Sequence, residues 1–385
     1  MSHRVLFIAS FGFPNYDAGA TRLTMLARAL RMKGCHVELC GVGDEVQFDG
    51  LICHTLNPGR SNRLFNWLAY RTLGLRSALF VRRHIKEFDS IVVSALPSNA
   101  IEFIKSLCLK RGVTLAVDCT EWYTPEEFKG GESDRSYLDH TRLITEVIDS
   151  RIKVIAISSY LERYFSNKGC NVLRIPSVLD VKELSSDGQA GRDCGHTRIV
   201  YAGSPGKKDS LWLILQAIIS LSSEDQERIK FDIYGVDQRS LSAMIPDGMR
   251  VPACVRAYGR VPRETILEAL HDCDFTVLMR DPSQRFAQAG MPTKVTESLG
   301  AGVPVIANIT SDLGDYLIDD KTAFVVPDYS AEAFAETLVR ALSSSDAMRD
   351  EMRRRAYLMA SSKLDYRSYA ECLSTFLLTE GKGVQ

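Results

Sequence analysis

The chain has 385 residues, 45% of them hydrophobic and 25% charged, with a formal net charge of −1 at pH 7. That length favours two domains of about 100–200 residues each, with the composition of a soluble globular protein. The near-zero charge gives no field for nucleic acid, no apolar run of about 18 residues offers a membrane span, and the cysteines form no CxxC pair that would signal zinc or redox chemistry. Cys40, Cys53 and Cys119 sit inside apolar runs. Free buried thiols of that kind point to a reducing cytoplasm. The first residues, MSHRVLFIASFGFP, carry too short an apolar run for a signal peptide and no cleavage pattern, and they predict a first strand.

Strand-like apolar runs alternate with helical patterns from end to end. In the first half they are Val5–Ser10, His36–Val42, Leu51–Thr55, Ser90–Ala95, Thr114–Cys119, Val154–Ser158 and Val172–Ile175. In the second half they are Arg198–Gly203, Phe231–Gly235, Val255–Gly259, Phe275–Met279, Val303–Ala307 and Ala323–Val326. Continuous Val/Ile/Leu runs between helices predict buried parallel strands in βαβ units. The longest Gly/Ser/Asp-rich stretch, LSSDGQAGRDCGHT, spans residues 184–197 and reads as a linker. The expected fold class is α/β, with two Rossmann-like domains facing across a cleft, at residues 1–183 and 198–365. An amphipathic helix over Tyr366–Leu378, within residues 366–385, ends the chain. Ligands of such sheets bind outside the carboxyl ends of the strands, so the cleft is the expected site.

Candidate chemistry follows in chain order. The first strand runs into Asp17-Ala18-Gly19-Ala20 and a long helix Leu23–Met32; Gly19 and Ala20 leave room for a ligand at the helix start, or form a plain βα turn. There is no GxGxxG, which argues against a dinucleotide site. Residues 60–86 hold Arg60, Arg63, Phe65, Trp67, Tyr70, Arg71, Arg76, Arg82, Arg83 and Lys86. This is a basic aromatic stretch suited to peripheral contact with an anionic membrane, or a solvated basic face. Asp118-Cys119-Thr120-Glu121-Trp122-Tyr123 places two carboxylates and two aromatic rings at a strand end, as an acceptor pocket would require; packing and helix capping by Thr124 are the structural alternative. The histidines show no paired spacing, and none falls at an evident strand end.

In the second half, Gly203-Ser204-Pro205-Gly206-Lys207-Lys208 follows a strand and suits an anion, although it lacks P-loop spacing. Asp272 and Asp274 form a DxD, but one ends a helix and the other starts a strand, so no metal site is expected there. Arg280 stands at a strand end as a phosphate candidate, followed by a loop, Asp281–Gly290, expected over the ligand. The stretch GMPTKVTESLGAGVPVIAN, residues 290–308, then gives a helix opening at Pro292, Thr293 and Lys294, with Thr293 as N-cap and Glu297 in the first turn. A helix N-terminus can hold a phosphate, and a carboxylate further in can accept hydrogen bonds from a sugar diol.

These segments together resemble a retaining glycosyltransferase of the two-Rossmann-domain (GT-B) kind, family 4, over nearly the whole chain. The resemblance is strongest in IVYAGSPGKKDS, FDIYG, PTKVTESLGAGVPVIAN and DYLIDDKTAFVV. It implies that Glu297 holds the donor ribose and Lys208, with Lys207 as rival, the diphosphate. Pro292, Thr293 and Lys294 would then lie at the phosphates, Tyr258, Gly259, Arg260 and Val261 beside the nucleobase, and Gly19 on the acceptor side. Three departures stand out. Ala289 occupies the place of the family's glutamate eight residues before the ribose glutamate, leaving backbone N–H groups at Gln288, Ala289 and Gly290 for the sugar. Ser204 replaces an arginine, a charge Arg280 would supply. Asp118–Tyr123 stands where the family has a histidine.

The implied reaction moves a sugar from a UDP- or GDP-sugar to a glycan or glycolipid hydroxyl with retention, without a metal or other cofactor. Lys208 and Arg280 would stabilise the leaving diphosphate, with Asp118 and Glu121 as first-domain catalytic candidates. The expected setting is polysaccharide or glycolipid assembly at the inner face of the membrane. A sugar-nucleotide epimerase or phosphorylase on the same architecture, and a non-catalytic nucleotide-sugar binding subunit, are the alternatives.

Overall fold

A computed structural model of the chain describes residues 2–13, 17–43, 45–57, 73–184, 195–245, 248 and 250–379. It divides into two compact units, Met1–Val178 with Tyr366–Gln385, and Leu179–Asp365. The first is built on β1 (Arg4–Gly12), β2 (His36–Val42), β3 (Val46–Phe48), β4 (Leu51–Asn57), β5 (Ser90–Ser94), β6 (Thr114–Cys119), β7 (Lys153–Ala156) and β8 (Asn171–Arg174). They lie in the order β3-β4-β2-β1-β5-β6-β7-β8, and every pairing is parallel except β3 with β4. The second unit uses β9 (Thr197–Ala202), β10 (Ile229–Tyr234), β11 (Val255–Gly259), β12 (Phe275–Leu278), β13 (Val305–Asn308) and β14 (Ala323–Val326). Their order is β11-β10-β9-β12-β13-β14, all parallel. Each sheet is a doubly wound Rossmann-like sheet whose order reverses beside its first long strand, β1 or β9. A crevice for ligands opens at such a point.

Thirteen of these strands fall on the apolar runs; the addition is β3. Asp49 and Gly50 both have positive φ, 51° and 69°, and Phe48 pairs with Leu51 across them. This is a two-residue hairpin turn, for which Asp-Gly is a strong signal. The first helix starts earlier than the apolar pattern, at Ala18, because the Asp17 carboxylate accepts from the Ala20 N–H at 2.8 Å.

The boundary between the units lies at Val178/Leu179. Residues 179–184 are tied to the second unit by Leu179 N–H on Leu364 O at 3.0 Å and Val181 N–H on the Asp365 carboxylate at 3.3 Å. Leu184 ends the helix Val181–Leu184 and Thr197 opens β9; residues 185–194 of the linker stretch lie outside the described residues. After Asp365 the chain forms a 3-10 turn, Tyr366–Tyr369, and a helix, Ala370–Leu378. Its Leu373, Phe376 and Leu377 pack into the first unit's core with Leu23, Leu26 and Leu30. The Lys153 ammonium donates to Phe376 O at 2.6 Å and so caps that helix's free carbonyls.

Of the basic aromatic stretch, Arg60, Arg63, Phe65, Trp67, Tyr70 and Arg71 lie outside the described residues. Arg76, Arg82 and Arg83 belong to the helix Leu73–His84, where Arg76 donates to Leu56 O at 3.1 Å. No helix among the described residues is long and apolar enough to cross a membrane.

Candidate functional site

In the second unit, the carboxyl ends of β9, β12 and β13 gather around one buried carboxylate, Asp209. Its Oδ2 accepts from the Lys294 ammonium at 2.6 Å and the Tyr201 hydroxyl at 2.8 Å; its Oδ1 accepts from Arg280 Nε at 2.8 Å. Burial alone would push the Asp209 carboxyl up, but Lys294 and Arg280 outweigh it and hold the group below the ordinary aspartate range. Burial beside that negative charge pushes the Tyr201 hydroxyl well up, so it stays a proton donor.

Neighbouring backbone fixes this cluster. Asn308, the last residue of β13, clasps the Arg280 main chain, accepting from its N–H at 3.0 Å and donating to its carbonyl at 2.7 Å. The Ser210 N–H bonds Met279 O at 2.8 Å, pinning the loop after β9 to the end of β12. Gly203 has φ 144°, and a Cβ there would overlap Lys294 Cε. The glycine is what lets the lysine stem cross β9 to reach Asp209. Arg280 is only 8% exposed, yet it uses Nε alone on Asp209; its outer Nη groups have no protein partner among the described residues. Two cations on one carboxylate leave a residual positive charge at the strand ends. Ser204 and Lys207 are exposed on the same loop, and half-buried Lys208 sets its ammonium 5.7 Å from the Phe286 ring centre.

The helix Thr293–Gly300 differs from expectation at its start. Pro292, not Thr293, occupies the cap position, no side chain caps the first turn, and Thr293 is the first helical residue. Glu297 therefore sits in the second turn, and the helix's opening N–H groups keep their affinity for an anion. Glu297 Oε1 is bound by Arg263 Nη1 at 3.1 Å. Gly302, with φ 70°, ends the helix.

The segment Asp281–Gly290 contains a short helix, Arg285–Ala289, where an open loop was expected. The Gly290 N–H bonds Phe286 O at 3.0 Å and is not free for a sugar; the Gln288 side chain donates to Pro282 O at 3.0 Å, and Ala289 is fully buried. Tyr258, 47% exposed, stacks on Tyr234 at 4.9 Å and donates to Asp232; Gly259, at φ 69°, turns the chain into Arg260 and Val261. In the DxD, Asp272 pairs with Arg198 Nη1 at 3.5 Å, whereas Asp274 accepts from the Arg198 N–H at 2.8 Å and pairs with Arg349. The two carboxylates are thus engaged by arginines rather than turned on a common centre.

In the first unit, Asp118 at the end of β6 is 4% exposed and accepts from Arg22 Nε at 2.9 and 3.2 Å. Arg22 also donates to Pro176 O, and Ser94 to Asp118 at 3.4 Å. Burial pushes the Asp118 carboxyl up, against the pull of Arg22. Ala95, directly after β5, has φ 54°, a strained value for a residue with a Cβ. At the other strand end, Asp17 caps its helix, Ala20 is buried, and the space beside Gly19 is filled by the Phe11 ring. Gly19 therefore makes room for an internal side chain.

Glu121 is half-buried, and its carbonyl accepts from His140 Nε2 at 3.2 Å. His140 also packs on Tyr123 at 4.6 Å, and Trp122 packs on Tyr164 at 4.4 Å. A histidine does reach this strand end, brought by the helix Arg135–Arg142, a distance in sequence that spacing alone does not bridge. Asp209 was the other residue missed; a lone carboxylate after two lysines at a strand end was its signal.

Comparison with known proteins bears on both units. Residues 187–359 match the family model Glycosyl transferases group 1. The amylovoran biosynthesis glycosyltransferase AmsK of Erwinia amylovora is 27% identical over 114 residues, which cover 30% of this chain and 28% of that protein. Among solved structures, sucrose-phosphate synthase from Thermosynechococcus elongatus is similar over 97% of this chain and 98% of its own, with a TM-score of 0.74 and 16% identity. Anabaena Alr3699/HepE in complex with UDP-glucose is similar over 97% and 99%, with a TM-score of 0.68 and 14% identity. The chain has the GT-B glycosyltransferase fold, two Rossmann-like parallel-sheet units, and the group 1 match over its second unit supports glycosyl transfer as its class of activity.

Proposed function

We propose that the protein transfers a sugar from a nucleoside-diphosphate sugar to an acceptor hydroxyl in glycan or glycolipid assembly, with retained anomeric configuration. The observation that carries this reading is the Asp209 hub. It holds Arg280 and Lys294 at the strand ends where a Rossmann-like sheet takes its ligand, beside an uncapped helix N-terminus. The diphosphate is held by Arg280, Lys294, Lys208 and the Thr293 helix opening. Glu297 takes the ribose diol, and the segment Tyr258–Val261 lies along the base. UDP-glucose in the similar HepE structure favours a uridine donor, with a guanosine donor as the alternative.

In the reaction, the bond from the anomeric carbon to the β-phosphate oxygen breaks and a bond to the acceptor oxygen forms on the same face. The acceptor's proton passes to the departing phosphate oxygen, so no separate base is needed. The fixed cations stabilise the charge that develops on the diphosphate, the role a divalent ion fills in other sites. Glu121, half-buried two residues beyond β6, is the first unit's candidate for orienting the acceptor.

The test is to incubate the protein with UDP- and GDP-sugars and a mixed acceptor pool and follow the products by NMR. Nucleoside diphosphate appearing with a new glycoside of unchanged anomeric configuration is the expected result. An isomerised donor identifies an epimerase, and a thermal shift without turnover a binding subunit, a reading that the buried alanine at position 289 favours. No thermal shift with any nucleotide sugar rejects donor binding altogether.

A further inference from the structure

Glu297 presents a physical difficulty. A carboxylate that reads a ribose diol stands one helical turn from the N-terminus that takes a diphosphate, and it would repel that ligand. The structure resolves the conflict with a residue outside every segment assigned above to the nucleotide. Arg263, the first residue of the helix Arg263–Asp272, places Nη1 3.1 Å from Glu297 Oε1, with both side chains about 30% exposed. The geometry points to Arg263 as the positioning residue for nucleotide recognition: it neutralises Glu297 and fixes its carboxylate for the ribose hydroxyls. This inference rests on the proposed donor site and adds a residue to it.

Three features support it. Arg263 stands two residues beyond the Tyr258–Val261 segment, so its position is set by the strand end that flanks the base. Pro262 precedes it at the cap position without a side-chain cap bond, and Ile266, one turn later, lines a shallow pocket that Lys294 and Glu297 also line. Glu297 therefore faces that pocket, and Arg263 holds it from the helix that contributes Ile266. Because the pair is part-exposed, its contribution to folding is small, and its removal is a clean probe. A single arginine bond on Oε1 leaves lone pairs on the carboxylate for a vicinal diol, which needs two acceptor positions.

The experiment measures affinity for UDP and 2′-deoxy-UDP, or the GDP pair if that base binds, in the wild type, Arg263→Ala, Glu297→Gln and the double variant. The wild type is expected to prefer the ribose form by about 10-fold, the usual scale of a bond to a charged group. Arg263→Ala should weaken UDP binding about 5- to 20-fold and bring the ribose preference close to that of Glu297→Gln. The double variant should lose no further preference, and Arg263→Lys should recover part of it; unchanged melting temperatures show that the folds are intact. An Arg263→Ala protein that keeps the full ribose preference while Glu297→Gln loses it overturns the role of Arg263 and leaves the donor site standing. A wild type that binds neither nucleotide, or does not distinguish them, overturns both.

Discussion

Each unit of this chain buries an aspartate against an arginine at the carboxyl end of its sheet, and the two clusters do opposite things. Asp118 meets one cation, Arg22, which is also tied to the Pro176 carbonyl; both side chains are almost wholly buried. Asp209 meets two, Arg280 and Lys294, and the Lys294 side chain remains 23% exposed. A one-to-one pair carries no net charge, although Arg22 Nη2 is left without a hydrogen-bond partner among the described residues. A one-to-two cluster cannot neutralise itself, so it keeps a positive charge that an anion can complete. On the proposed function, counting charges around a buried carboxylate separates a structural ion pair from one that takes a ligand.

The largest expected effect tests that distinction. Asp118→Ala and Asp209→Ala each strand a buried arginine, and each should cost about 3–5 kcal/mol in urea denaturation. They should part company when UDP or GDP is added. A diphosphate can supply the lost negative charge to Arg280 and Lys294, so the Asp209 variant should regain part of its stability; Asp118→Ala should not. Equal behaviour of the two variants with and without nucleotide would erase the contrast.

Next come the cations themselves. Lys294→Ala and Lys208→Ala should each lose about 1.5–3 kcal/mol of transition-state stabilisation, roughly 10- to 100-fold in kcat/KM. An unchanged kcat/KM in the Lys208 variant removes it from the reaction. The Gly203→Ala variant probes the same lysine without touching its charge. The added methyl falls on the Lys294 stem at a backbone angle of 144°, so the expected cost is about 1–3 kcal/mol, with donor affinity lost alongside stability. Full donor affinity in that variant would mean that Lys294 reaches Asp209 by another route.

Most of the fold was legible because parallel strands buried on both faces must be continuous apolar runs, as in Val5–Ser10 or Ala323–Val326. The antiparallel β3 escaped because it is short, though its Asp49-Gly50 turn was there to be read. The proposed donor-side residues stood out through local spacing: Lys208 follows a strand end, Lys294 opens a helix and Glu297 lies one turn further in. What spacing does not carry is which partners fold together. Asp209 meets Arg280 and Lys294 from 71 and 85 residues away, and His140 reaches Glu121 from 19. The N-cap at Thr293 failed for a local reason. Proline at 292 already provides an extended residue before the helix, so the threonine enters the first turn.

The smallest expected effect is the most direct reading of the two clusters, because their carboxyls shift in opposite directions from the ordinary aspartate value of 3.8. Asp209 is held lower in the folded chain, so its contribution is complete above that value and is lost as pH falls through the folded one. Asp118 is held higher, so the folded chain binds its proton more tightly and stability declines as pH rises from 3.8 through its folded value. In Asp209→Asn the acid limb of stability below about pH 4 should flatten. In Asp118→Asn the change should appear above 3.8, with a decline that the wild type shows and the variant lacks. Urea midpoints from pH 2.5 to 7 measure both. If the two substitutions flattened the same limb, the charge of Asp118 would be as well compensated as that of Asp209, and one arginine would be doing the work of two cations.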